Sequence, residues 1–483
     1  MNFAVINTEI FILALGLFAV VMDLILPRNE SHKSIGAVLI FSLTAWLLYM
    51  FTMYTGPFDP TLGFMSPDRY FTKTLYIVDN YALFFKQLFI VAVIFTMLFA
   101  SDYVQSVLRY KGEFYAILML ALLGMCVLAS ANDFLTLFIG LELMTISFYI
   151  LVGARMSSKD SSEAAVKYLI VGSVSTAVML YGISLVYGSV GSIQFFEVCR
   201  NPHLFYPTGI VGITLIMVGF FFKLSIIPFH MWAPDVYQGA PTPVTALLAM
   251  GSKAAGIAAF MRALYVAFPM LGMYWLPILS FLAAICMVFG NIMAIKQRDV
   301  KRMLAYSSIA QAGYMMVGII AADVAGMKAV MFYAMLYVFA NVGAFAVLSV
   351  VEAKKGSTSH DAMSGLSQSA PVLAAVMTIS LLSMAGIPPT AGFAGKLYLF
   401  TAVVDQGYLW LAFVGFVMSM ISVYYYLLVA KAMYLGKGDG DKWVISGAMR
   451  AAVVLSVVAT ILFGVWPEKL AELTNLAAST FLQ

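Results

Sequence analysis

Charge is what this chain has least of. Asp, Glu, Lys and Arg make up 10% of its 483 residues, against 63% hydrophobic. A water-solvated domain carries roughly 25% charged residues, so a soluble globule is excluded. Cysteine is scarce too: Cys126 and Cys286 lie in apolar runs and Cys199 in a short loop. None is spaced as CxxC, which speaks against a disulfide framework, a zinc site or an iron–sulfur cluster. The four histidines, His32, His203, His230 and His360, are too scattered to pair on a haem. No Walker loop occurs, and no GxGxxG follows a strand-like run, which argues against nucleotide binding. A net charge of +4 gives no reason to expect a nucleic-acid partner.

What is present is long apolar runs. A helix needs about 20 apolar residues to cross the hydrocarbon core. The pattern predicts an all-α polytopic membrane protein with about fourteen spans, near 8–26, 35–54, 79–100, 114–130, 133–152, 162–189, 208–230, 243–268, 272–295, 302–321, 326–351, 371–404, 409–436 and 447–466. The first run has no basic flank and no convincing cleavage site, so it is expected to be a retained span. Span twelve is too long for one straight helix and is interrupted by GIPPTAGFAG, so the count is fourteen or fifteen.

Lys and Arg collect in cytoplasmic loops. Loops after odd spans hold Arg28, Lys33, Arg109, Lys111, Arg155, Lys159, Lys296, Arg298, Lys301, Arg302, Lys354, Lys355, Lys437 and Lys442. Loops after even spans hold mainly Arg69, Lys73, Arg200 and Lys328. Odd loops are therefore expected in the cytoplasm and both termini on the outer side.

The most informative stretch is KLSIIPFHMWAPDVYQGAPTPVTALLAMGSK, Lys223 to Lys253. A lysine sits at either end of Pro-rich sequence that cannot be one continuous helix. A second such place, SMAGIPPTAGFAGKLY, lies five spans later and contains Lys396. An odd offset puts the two copies in opposite orientations, the logic of inverted-repeat transporters with sites at broken helices. Glu142 lies about ten residues into the fifth span, near mid-membrane at about 1.5 Å per residue. Four central charges, Glu142, Lys223, Lys253 and Lys396, cost on the order of 10 kcal/mol together on insertion scales, a large expense for purely structural residues.

Lysine titrates near 10.4 in water and burial disfavours its charged form, while a nearby carboxylate favours it. A Glu–Lys pair of changeable separation is thus a protonation switch. Lys167, early in the sixth span, reads equally as structural or functional, and His230 as a loop histidine or a proton relay. Lys86, Arg262 and Lys431 are expected to snorkel. The tyrosines 424–426 read as lipid-facing or packing surface.

PFHMWAPDVYQGAPTPVTALLAMGSK closely resembles the signature of the antiporter-like membrane subunits of respiratory complex I, a family shared with multi-subunit cation/proton antiporters and membrane-bound hydrogenases. The resemblance extends over the whole chain in length and span pattern. It implies that Glu142 and Lys223 are the glutamate–lysine pair of spans five and seven, Lys253 the central connecting lysine, Lys396 the terminal lysine of span twelve, and Lys167 the sixth-span lysine. It implies two inverted five-helix halves, spans 4–8 within residues 113–270 and spans 9–13 within 271–436. Residues 1–112 would be three N-terminal spans, and 437–483 a last span and tail. The implied function is proton translocation within an NADH-quinone oxidoreductase of the inner (plasma) membrane. Quinone, FMN and iron–sulfur clusters would belong to partner subunits, with no cofactor here. The partners would be the other membrane-arm subunits, above all an adjacent antiporter-like subunit and small subunits, together with lipid. The rival readings are a subunit of a cation/proton antiporter, which needs no redox partner, and a membrane scaffold in which the buried lysines are dispensable.

Overall fold

A computed structural model describes residues 6–26, 32–54, 75–438 and 442–479. Arg28, Arg69 and Lys73, used above for orientation, lie outside the described residues. Among the described residues the regular structure is helical, apart from isolated bridges such as Tyr76 to Ala131 and Asp133 to Gln194. An apolar chain in lipid has no water to satisfy its amides, so it must satisfy them within each segment. In chain order the helices are α1 (Asn7–Ile25), α2 (Lys33–Met50), α3 (Asn80–Val107), α4 (Lys111–Ser130), α5 (Phe134–Val152), α6 (Lys159–Val190), α7 (Pro207–Leu224), α8 (Trp232–Gly239), α9 (Thr242–Ala267), α10 (Gly272–Ile295), α11 (Val300–Ala321), α12 (Val324–Lys355), α13 (Pro371–Ala385), α14 (Ala391–Asp405), α15 (Leu409–Leu435), α16 (Gly447–Val465) and α17 (Glu468–Ser479). Among the described residues thirteen stretches are long and apolar enough to cross a membrane, and α13 is a shorter apolar helix.

Helix starts follow local chemistry. Asp79, Asp133, Asp299 and Asp323 each accept from a backbone amide of the first turn they precede, satisfying donors that have no partner inside the helix. One expected span stops short and another is divided. α7 ends at Leu224, where Ser225 adopts a left-handed conformation (φ 59°), so it does not reach residue 230. The chain then turns through Pro228 before the separate short helix α8. Span twelve is two helices: α13 ends at Gly386 (φ +85°), and α14 begins beyond Pro388 and Pro389. A Cβ on Gly386 would also stand 3.0 Å from Lys396 Cδ, so the turn is closed around that lysine.

Burial grades the helices. α3, α9, α11 and α12 are almost wholly enclosed, whereas α1, α2, α6 and α16 are buried over only about a third of their apolar length. The enclosed helices therefore hold the polar residues lipid would reject. At its C-terminal end the chain forms the amphipathic helix α17, which packs Leu470, Ala471, Ala477 and Ala478 inward.

Several sequence expectations change here. Lys86 and Arg262 do not snorkel: both are 1% exposed. Lys86 Nζ lies 2.9 Å from Glu9 Oε1, and Arg262 makes a two-pronged contact with Asp79 at 3.0 and 2.9 Å. A charge held by a buried partner has no need to reach the interface. Lys301, read as a loop charge, is buried and paired with Glu352. Tyr425 and Tyr426 are buried and hydrogen-bonded to Asn291 and Ser307, so only Tyr424 is an exposed surface residue.

Candidate functional site

The three lysines of the helix breaks are all buried, at 2% (Lys223), 3% (Lys253) and 4% (Lys396) exposure. Each solves the problem of a buried ammonium differently. Lys223, in the last turn of α7, donates to Thr145 Oγ1 at 3.0 Å and lies over the Phe148 ring. Thr145 and Phe148 both belong to α5, one and nearly two turns beyond Glu142. Glu142 and Lys223 form no direct salt bridge among the described residues. Thr145 holds the ammonium instead, and the buried Glu142 Oε1 accepts no hydrogen bond from the described residues. The carboxylate and the ammonium thus share one helix face without being locked together, the arrangement a switch needs.

Lys253 lies in the enclosed helix α9, directly after a stretch of wider, π-helical winding over Leu248–Ser252. Such widenings recur at functional sites. Its Nζ donates to the Ser308 carbonyl on α11 at 2.7 Å. Lys396, on α14, donates to three acceptors: Met384 O at 2.9 Å, Ala385 O at 3.0 Å and Ser419 Oγ at 2.8 Å. The first two are terminal carbonyls of α13, which have no partner inside their helix and carry the negative end of its dipole. The Tyr314 ring lies 4.4 Å beneath the same ammonium. The break in span twelve therefore creates the acceptors that make Lys396 tolerable.

One helix links the two downstream lysines. Ser308 of α11 receives Lys253. One turn on, Gln311 donates to Met384 O, the carbonyl that also takes Lys396, and accepts from Tyr333. A further turn on is Tyr314, beneath Lys396 and within 3.3 Å of Asn291. Ser308 and its neighbour Ser307 also meet Tyr237 and Tyr426. Sequence reading missed Ser308, Gln311, Tyr314, Thr145 and Ser419. The signal for the first three was present: α11 is the least apolar of the thirteen spans, although it is nearly all buried.

Two other predicted residues lie off this line. Lys167 is at the surface, paired with Glu163 at 2.8 Å and Asp235 at 3.1 Å. Asp235 is also held by Arg302 at 2.7 Å. His230 sits in the turn between α7 and α8, its ring edge-on to Phe289, and its Nδ1 makes no hydrogen bond among the described residues. No group of three or more His, Cys, Asp or Glu able to hold a metal occurs among the described residues.

Comparison with known proteins places this geometry. The family model described as "NADH:quinone oxidoreductase/Mrp antiporter, TM" matches residues 131–422, which include Glu142, Lys223, Lys253 and Lys396. A protein of Heliobacterium modesticaldum named NADH-quinone oxidoreductase subunit N is 46% identical over 99% of this chain and 100% of its own length. One of the same name from Trichlorobacter lovleyi is 39% identical over 99% of this chain and 97% of its own. Among solved structures, a chain of respiratory complex I from Thermus thermophilus with bound aureothin superposes with TM-score 0.80 at 31% identity, covering 96% of this chain and 98% of that one. A chain of the Mrp complex from Dietzia shares the fold, with TM-score 0.87 at 20% identity over 100% of this chain and 98% of that chain.

Proposed function

The chain belongs to the NADH:quinone oxidoreductase/Mrp antiporter family of membrane subunits, and from that premise we propose that it is a proton-translocating subunit of an NADH-quinone oxidoreductase. The relatives at 46% identity bear that enzyme's name, which favours the reading over an independent cation/proton antiporter. Redox chemistry, with FMN, iron–sulfur clusters and quinone, falls to partner subunits. The chain is in contact with membrane-arm neighbours, in particular another antiporter-like subunit and small subunits, and with lipid.

The observation that carries the proposal is the attachment of Lys253 and Lys396 to one buried polar helix, α11. A proton on Lys223 leaves by breaking an Nζ–H bond and forming an O–H bond on Glu142, or passes inward towards Lys253. Lys253, Ser308, Gln311 and Lys396 continue the line across the bundle, and Lys396 is the last group, best supplied with acceptors. Changing the Glu142–Lys223 separation alters the relative free energy of the protonated states, which is how a conformational signal from the redox arm biases proton movement. Lys167, held at the surface by Glu163 and Asp235, and His230, in the turn between α7 and α8, take supporting parts beside this route.

The organisation follows the same reading: spans 4–8 (residues 113–270) and spans 9–13 (residues 271–436) as inverted halves, with residues 1–112 and 437–483 flanking them. The chain lies in the inner (plasma) membrane with the Lys/Arg-rich ends inside and both termini outside. The test is proton translocation per electron in membrane vesicles containing the whole complex. Lys253→Ala is expected to lower that ratio while NADH oxidation persists. A wild-type ratio would refute the assignment.

A further inference from the structure

At one end of the bundle three segments meet on a single carboxylate of α12. Glu352, in the last turn of α12, is 9% exposed. Its Oε1 takes Lys301 Nζ of α11 at 3.0 Å and Arg155 Nη1, just beyond α5, at 3.4 Å. Its Oε2 accepts from the Thr242 amide at 3.3 Å and the Thr242 hydroxyl at 2.5 Å. Lys301 Nζ has a second acceptor, Ala240 O, at 3.0 Å.

These contacts are ordered along the chain. Ala240 closes α8 and Thr242 opens α9, with Pro241 between them contributing no N–H. The ammonium therefore meets the carbonyl end of one helix and the carboxylate the amide end of the next, each matched to the local dipole. The two charges are not interchangeable. An ammonium cannot accept from the Thr242 amide, and a carboxylate cannot donate to Ala240 O.

The clamp bears on Lys253. α11 holds α9 at two places: at the start of α9 through Lys301 and Glu352, and at mid-helix through Ser308 O, which receives Lys253 Nζ. Lys301 and Ser308 are two turns apart, about 10 Å along the helix. We propose that Glu352 and Lys301 are positioning residues for proton transfer, fixing the register of α9 against α11 and so setting Lys253 on Ser308. The proposal rests on the proton-carrying role of Lys253.

The experiment uses the intact complex with Glu352→Gln, Thr242→Val, Lys253→Ala and the exchanged pair Glu352→Lys with Lys301→Glu. Two quantities are read: amide hydrogen exchange over residues 242–248, and protons moved per electron. Loss of a charge-assisted bond at a helix start is expected to speed exchange there on the order of tenfold in Glu352→Gln. The proton ratio should fall with it, Thr242→Val should shift both readouts the same way, and the exchanged pair should restore neither. Wild-type exchange in both Glu352→Gln and Thr242→Val overturns the proposal, as does full recovery in the exchanged pair, which would reduce the contact to a simple ion pair. If Lys253→Ala lowers the ratio while Glu352→Gln keeps it despite faster exchange, the clamp does not position Lys253 and the proposal fails. If Lys253→Ala keeps the ratio, it is the proton role of Lys253 that fails, and faster exchange in Glu352→Gln still supports the clamp.

Discussion

Replacing Lys396 by methionine separates folding from function more sharply than any other single change here. The ammonium is held by Met384 O, Ala385 O and Ser419 Oγ. Removing it orphans none of them: Met384 O still receives Gln311 Nε2 at 3.1 Å, and Ala385 O still receives the Ser419 hydroxyl at 2.7 Å. Hydrogen bonds to a charged group contribute about 1.5–3 kcal/mol, and burying a lysine at mid-membrane costs about 2.5–3.5 kcal/mol. Lys396 makes three such bonds, which together outweigh that cost, so Lys396→Met should destabilise by a few kcal/mol, and because no acceptor is orphaned the complex should still assemble. Arginine is different. It remains charged under nearly all conditions and is bulkier, and the turn at Gly386 already packs against Lys396 Cδ. Lys396→Arg should therefore destabilise more than Lys396→Met although it keeps the charge. Neither variant has a group that cycles between charged and neutral, so both should lower protons per electron while the redox arm still oxidises NADH. The assay is proton uptake against quinone reduction in vesicles, with complex content measured alongside. A wild-type ratio at wild-type turnover in either variant would refute the reasoning.

Glu142→Ala and Lys223→Ala should each reduce the proton ratio in an assembled complex. The double variant should lose little more than either single one, because residues acting as a unit are not additive; additive losses measured in the same vesicles would contradict a coupled switch. Arg262→Leu should behave oppositely, leaving Asp79 buried and unpaired at a cost of about 3–5 kcal/mol; complex content on a native gel should drop, with a normal ratio in whatever assembles. Ser357 is exposed beside the Lys354 and Lys355 end of α12, so Ser357→Cys should react with an impermeant thiol reagent in inverted vesicles and not in intact cells. Thr61, the natural comparison on the other side, lies outside the described residues.

The sequence alone determined the medium, the spans and the position of the breaks. Apolar run length reports directly on bilayer thickness, and each span is a locally closed hydrogen-bonding unit, so the spans were legible without knowing their neighbours, whereas the short helix α8 was not. Pro228, Pro388, Pro389 and Gly386 act on their own backbone, so the interruptions near Lys223 and Lys396 were legible for the same reason. Partners were not, because a partner is a neighbour in space. Lys86, Arg262 and Lys301 read as ordinary end-of-span cations until Glu9, Asp79 and Glu352 arrived from distant segments. Glu142 and Lys223 read as a pair of changeable separation, but that Thr145 of α5 takes the Lys223 ammonium was not legible. Ser308, Gln311 and Tyr314 are uncharged and cost little to insert, so the low hydropathy of α11 marked the helix but not these residues within it. Only the tertiary structure, by enclosing α11 between the two lysine-bearing breaks, decided that these residues join Lys253 to Lys396, since a hydrogen bond depends on distance and angle rather than on residue type.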